Sequence, residues 1–130
     1  MPVDGLTTIR SAFGQEETVR RLEAAIEASR MTLFAHVDHA AGAAAAGLSL
    51  RPTHLLIFGA AKGGTPAMQA AQTMGIDLPL KALVWRDAEG TTWLSYNDPG
   101  WLAERHGIDA ALAEPLRKAL AALAASATAG

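Results

Sequence analysis

The chain contains no cysteine, which excludes disulfides, thiolate metal sites, iron–sulfur clusters and thiol nucleophiles together. It also lacks a basic excess: 11 Lys and Arg stand against 13 Asp and Glu, a formal net charge of −2. Nothing in that balance favours neutralising phosphates along a duplex, so no nucleic-acid partner is expected. No apolar run approaches the ~18 residues that span a bilayer, and the alanine-rich stretch Ala40–Ala46 is short and interrupted by Gly42. The opening Met1-Pro2-Val3-Asp4-Gly5 has neither a basic nor an apolar leader region. The expectation is a cytoplasmic protein without a membrane partner. No serine stands in a Gly-x-Ser-x-Gly context, so a hydrolase nucleophile elbow is absent as well.

What is present suits a folded domain. Half of the 130 residues are apolar and 18% are charged, the composition of a chain that buries a core unaided. No repeat or boundary divides it, so one domain over residues 1–130 is expected, with its ordered core over 4–124 and a frayed tail over 125–130. Leu6 to Phe13 reads as a first strand. From Glu16 to Arg30 the period changes, and Val19, Leu22, Ile26 and Ser29 form a helical stripe, with Glu16–Arg20 and Glu17–Arg21 pairs on the wet side. Thr32–Val37 is a second strand. Asp38 caps a short helix ending near Gly47. Thr53–Phe58 is nearly all apolar, as in a strand buried on both faces.

Gly59–Gly64 reads as a turn, and Thr65-Pro66 as the cap and first residue of a third helix that stops at Gly75. Leu80–Arg86 and Thr91–Tyr96 form a hairpin across Asp87–Gly90. Asp98-Pro99 opens a helix ending at Gly107, and Leu112, Leu116, Leu120 and Leu123 mark the last one, with Pro115 near its start. The order is β-α-β-α-β-α-β-β-α-α. The fold class expected is α+β: one mixed, mostly antiparallel sheet of about five strands with helices packed against it.

Several segments, in this order and spacing, resemble the family of domains of unknown function numbered 302. They include Val37-Asp38-His39-Ala40, Pro52-Thr53-His54-Leu55-Leu56-Ile57-Phe58-Gly59, Gly64-Thr65-Pro66-Ala67-Met68-Gln69, Asp77-Leu78-Pro79-Leu80-Lys81, Val84-Trp85, Tyr96-Asn97 and Arg105-His106-Gly107. The resemblance covers residues 5 to 107. It implies a compact α+β fold and a homodimer, and it supplies no catalytic residues. Where the family pattern reads Phe-Gly-Asn-Pro this chain has Phe58-Gly59-Ala60-Ala61. Any ligand role of that asparagine is missing here.

Three constellations could carry chemistry. The first is Lys62, Gly63, Gly64 and Thr65, where backbone N–H groups and a lysine would favour a small anion; it is not a P-loop, because Thr65 and Pro66 stand where Lys and Ser/Thr are required. The second is His36-x-Asp38-His39. Asp38 orienting His39 would give an acid–base pair acting on an anionic substrate. Alternatively His36, His39, His54 or His106 would carry a metal or haem, although no metal-ligand motif or cofactor is expected from the spacing. The third is Lys81 with Trp85 on one strand face, joined by Tyr96 only if the register allows, beside Asp77 and Asn97. The plain reading competes at every point: Asp38 caps, His36 packs in the sheet, Asp77 pairs with Lys81, and the tryptophans fill a core or a dimer interface. The sequence therefore favours a non-catalytic module, homodimeric or binding a small ligand.

Overall fold

Strands β1 (Leu6–Arg10), β2 (Thr32–Asp38), β3 (Thr53–Gly59), β4 (Leu80–Arg86) and β5 (Thr92–Asn97) alternate with helices α1 (Gln15–Ala28), α2 (His39–Ala45) and α3 (Ala61–Ala70) before α4 (Pro99–His106) and α5 (Glu114–Thr128) close the chain. A computed structural model describes residues 2–130. The strands form one sheet in the order β1-β5-β4-β3-β2, and every pairing is antiparallel. The expected α+β class and element order therefore hold.

One face of the sheet carries the core. Alternate residues Leu56 and Phe58 of β3, Leu80, Ala82 and Val84 of β4, and Leu94 and Tyr96 of β5 are buried against Val19, Leu22 and Ile26 of α1 and Leu116, Leu120 and Leu123 of α5. Burying each large aliphatic side chain contributes about 1.5–3 kcal/mol. Strand side chains alternate, so the same register sends Leu55, Ile57, Leu83, Trp85 and Trp93 to the other face, where they are only half-buried. The expectation that Thr53–Phe58 is buried on both faces is thus corrected. Its apolar run serves one covered face and one open one.

Helix ends follow local chemistry where side chains can reach. The Asp38 carboxylate accepts a hydrogen bond from the Ala41 N–H at 2.9 Å, and that of Asp98 from Gly100 at 3.1 Å. Gly107 ends α4 in the left-handed region at φ 68°. On α1 the pairing shifts: Glu17 takes both Arg20 and Arg21, and Glu16 is left out of the expected bridge to Arg20. The helix also stops before Arg30, whose φ is 59°.

Two expectations fail for tertiary reasons. Helical structure does not stop at Ala124, where the tail was expected to begin. Helix α5 continues to Thr128, with Ala127 and Thr128 buried, and the Thr128 carbonyl accepts the Ala12 N–H at 2.8 Å. Small side chains let the last turn close onto the chain leaving β1. The third helix starts four residues before Thr65, at Ala61, so Pro66 lies inside it rather than at its first position. Gly63 and Gly64 donate to the Ala60 carbonyl at 3.0 and 3.2 Å, and the helix ends at Ala70. A separate 3-10 turn, Gln72–Ile76, then carries the chain to β4.

Gly5 shows how tightly the open edge is built. Its φ is +75°, and a Cβ placed there would lie 2.3 Å from the Trp101 ring. Its carbonyl meanwhile accepts the Asp98 N–H at 2.7 Å. Gly5→Ala therefore combines a left-handed backbone penalty with overpacking, and the expected loss is about 2–4 kcal/mol. Urea unfolding of the two proteins checks this; an unchanged midpoint would contradict it.

Candidate functional site

A cavity of about 390 Å³ opens at the Gly59 end of β3. Phe34 of β2 and Met31 before it form one wall, Gly63, Gly64 and Met68 of α3 a second, and Pro115, Leu116 and Ala119 of α5 a third; Leu78, Pro79 and Leu80 close the base. The lining is almost wholly apolar. The sheet creates the opening: an extra residue between Leu33 and Ala35 shifts the β2–β3 register. Phe34 falls in that bulge and is left 57% exposed at the mouth. Gly63 and Gly64 bring α3 near α5 and the Leu78 segment. Cβ atoms there would stand 3.5 Å from Leu116 Cδ2 and 3.4 Å from Leu78 Cδ1, respectively.

Of the residues singled out from sequence, Gly63 and Gly64 line this cavity, while Lys62 and Thr65 are exposed on the outer side of α3. The anion reading of the glycine turn loses its donors, because the Gly63 and Gly64 N–H groups are bonded within the first helical turn. Lys81 and Tyr96 do not meet. Lys81 sits opposite Ile57 on the open face, where Nζ donates to the carbonyls of Asp77 (3.2 Å) and Pro79 (3.0 Å). Partial burial holds the Lys81 pKa below the ordinary lysine value, with the Asp77 charge opposing. Tyr96 lies in the core on the opposite face. Its hydroxyl pKa is raised by burial first and by the Asp98 charge second.

His39 and Lys62 are also far apart. The two ends of β2 pair with Gly59 and His54, and seven residues of strand separate them by about 20 Å. His39, exposed at the start of α2, follows the far end. The pairing of His39 with an anion held at Lys62 therefore has no geometry behind it. Asp38 does act as the α2 cap. Its carboxyl pKa is lowered chiefly by the Ala41 N–H and further by the neighbouring His54 and His36.

Sequence reading missed one polar network entirely. The Asp77 side chain does not reach Lys81; it accepts from Arg105 Nη1 at 3.0 and 2.9 Å and meets His106 Nε2 at 2.5 Å. His106 Nδ1 lies 2.8 Å from Thr73 Oγ1. The side chains of His106 and Asp77 are only 8% and 13% exposed, so the network ties α4 to the 3-10 turn. Hydroxyl, imidazole and carboxylate follow one another as in a nucleophile–base–orienter chain. Neither Thr73 nor His106 lines the apolar cavity. The signal was in the sequence as Asp77 and Arg105-His106, but 28 residues separate the partners.

On the open face Trp85 and Trp93 stack with ring centroids 6.2 Å apart. Trp85 Nε1 donates to Ser95 Oγ at 2.9 Å and Trp93 Nε1 to Asp87 at 2.8 Å. The Trp93 N–H is the largest cause holding the Asp87 pKa below the usual carboxylate value. Both indoles thus satisfy their polar edge locally and leave their ring faces to the surface.

Comparison with known proteins places these features. The family model described as "Domain of unknown function DUF302" matches residues 7–126. A crystal structure of an uncharacterized conserved DUF302 protein from Bacillus stearothermophilus superposes with a TM-score of 0.86 at 21% identity, covering 96% of this chain and 99% of that one. Proteins called fluoride-specific ion channel FluC 1 from Brucella suis and from Brucella abortus are each 48% identical over 104 residues. That match covers 80% of this chain but only 41% and 38% of theirs. No helix among the described residues is long and apolar enough to cross a membrane.

Gly63 makes the cavity wall testable by itself. An alanine Cβ there meets Leu116 at an ordinary contact distance, while Gly inside a helix costs about 0.5–1 kcal/mol relative to Ala. Gly63→Ala is expected to raise the denaturation midpoint by a corresponding amount. A lowered midpoint would show that the helix or its packing is misplaced.

Proposed function

The chain belongs to the DUF302 family, and we propose that it is a non-catalytic module that binds a small apolar molecule and works as a homodimer. The observation that supports ligand binding is the 390 Å³ cavity with its nearly continuous apolar lining. Its volume lies at the lower end of small-molecule pockets, which run from about 300 to 1,000 Å³. The small anion suggested by the glycine-bearing segment gives way to an apolar ligand, because the lining offers neither an ionic partner nor a free donor from Gly63 and Gly64. A short acyl chain or a one- to two-ring aromatic fits this chemistry.

Ala119 tests the site from the α5 side, where it lines the cavity and is only half-buried. Titration with a fluorescent naphthalene sulfonate dye should give saturable enhancement that decanoate displaces. Ala119→Phe should weaken dye binding at least tenfold while the circular dichroism spectrum stays the same. Equal binding by both proteins rejects the cavity as the site.

The homodimer reading rests on the open sheet face. Five strands spaced by about 4.8 Å and roughly 20 Å long present a face of about 20 by 24 Å. Pairing two such faces buries on the order of 1,000 Å², near the lower limit for a specific interface. Leu55, Ile57, Leu83, Trp85 and Trp93 give that face an apolar centre, with Arg10 and Lys81 among its polar positions, the arrangement seen in sheet-on-sheet packing. Light scattering at micromolar concentration should return twice the chain mass, and Leu83→Lys should return the chain mass. A wild-type monomer overturns the reading.

The curated relatives are consistent with a portable module. This chain spans about two-fifths of their length, and channel activity in those proteins requires spanning elements. We read the shared segment as an accessory part of such proteins, separate from an ion path.

A further inference from the structure

A second concavity, of about 560 Å³, lies at the opposite end of β2 and β3 from the apolar cavity, and Gln15, Glu16, His36, Asp38 and His54 line it together with Val19, Pro52 and two alanines. His36 pairs across from Leu56 and His54 across from Asp38, so the two imidazoles are diagonal neighbours on the helix-bearing face. His36 Nε2 lies 3.0 Å from His54 Nδ1, with ring centroids 5.1 Å apart and planes tilted by 56°. Two nitrogens bound to one tetrahedral zinc ion, each at about 2.0–2.1 Å, stand about 3.3 Å apart. The 3.0 Å contact is a hydrogen bond in which one of the two nitrogens carries the proton. A cation replacing that proton needs the nitrogens to part by a few tenths of an ångström and both lone pairs to turn toward it.

The surroundings supply what such a chelate needs. His36 Nδ1 faces Glu23 Oε1 at 3.5 Å, the carboxylate–imidazole–metal order in which an outer carboxylate orients the ring and raises its basicity. Asp38 adds a carboxylate to the same concavity, two residues from His36 and opposite His54 in the strand pairing. No group of three or more His, Asp or Glu side chains converges on a metal position among the described residues. The protein thus offers two ligands, and water completes the shell. Neutral imidazole favours late first-row ions over magnesium or calcium. His39 and His106 do not belong to this pair.

We propose that His36 and His54 form an exchangeable site for a late first-row divalent cation such as Zn²⁺, with Glu23 orienting His36. The site is independent of the apolar cavity. Calorimetric titration of the full chain with ZnCl₂ should give one ion per chain, and MgCl₂ should give none. His36→Ala and His54→Ala should each weaken Zn²⁺ at least tenfold, and Glu23→Gln by about tenfold, whereas His39→Ala should bind as the wild type does. Nitrogen-15 spectra of the wild-type histidine rings provide a readout that needs no variant. Zinc should move His36 Nε2 and His54 Nδ1 and leave His106 in place. No binding at millimolar zinc, unchanged affinity in His54→Ala, or shifts confined to other rings would each overturn the proposal.

Discussion

The packing of α1 and α5 against a single face of the sheet governs the rest of the molecule. Leu22 and Ile26 from one helix and Leu120 and Leu123 from the other bury Leu56, Phe58, Val84 and Leu94. Burial of one face sets strand register strongly, because a one-residue slip would expose the whole set. Everything functional that the chain offers is placed by that choice. Residues at alternate positions are forced outward, so Trp85, Trp93, Leu55 and Leu83 form a second apolar surface even though they were not needed for the core.

The two concavities arise at opposite ends of the β2–β3 pair, where the layers part. At the Gly59 end, a bulge turns Phe34 outward, and α3 meets α5 through glycine. The space between is lined by carbon. At the His54 end, the covering helix begins with Gln15 and Glu16, and β2 ends with the polar side chains of His36 and Asp38 on the same face. We assign the proposed apolar ligand to the first end and the proposed cation to the second. The chemistry differs because α3 and α5 present small and apolar residues at one end and α1 presents its polar first turn at the other.

Most of the element order was legible. Period changes, Asp98-Pro99 and the Asp87–Gly90 loop are local signals, and local hydrogen bonding or backbone restriction enforces them. The Gly63-Gly64 pair shows the limit of such signals. Read alone, two glycines before Thr-Pro form a turn; in the fold, they belong to the first turns of a helix that packs toward Leu116 and Leu78. The chain end carries the same lesson, since the burial of Ala127 and Thr128 adds to alanine's own helix preference and carries α5 to Thr128. The Asp77–Arg105–His106–Thr73 network was equally invisible, because its members come from distant turns.

By itself the sequence determined the class of fold, the absence of thiol chemistry, the caps at Asp38 and Asp98, and the face shared by Lys81 and Trp85, since each follows from residue identity or from spacing along one element. Only the tertiary structure decided which histidines meet, that Tyr96 belongs to the core, that Lys62 points away from the cavity, and that one sheet face stays open. Those outcomes depend on strand order and on which helices cover which side. They are set by burial summed over the whole chain, a quantity no short stretch of residues contains.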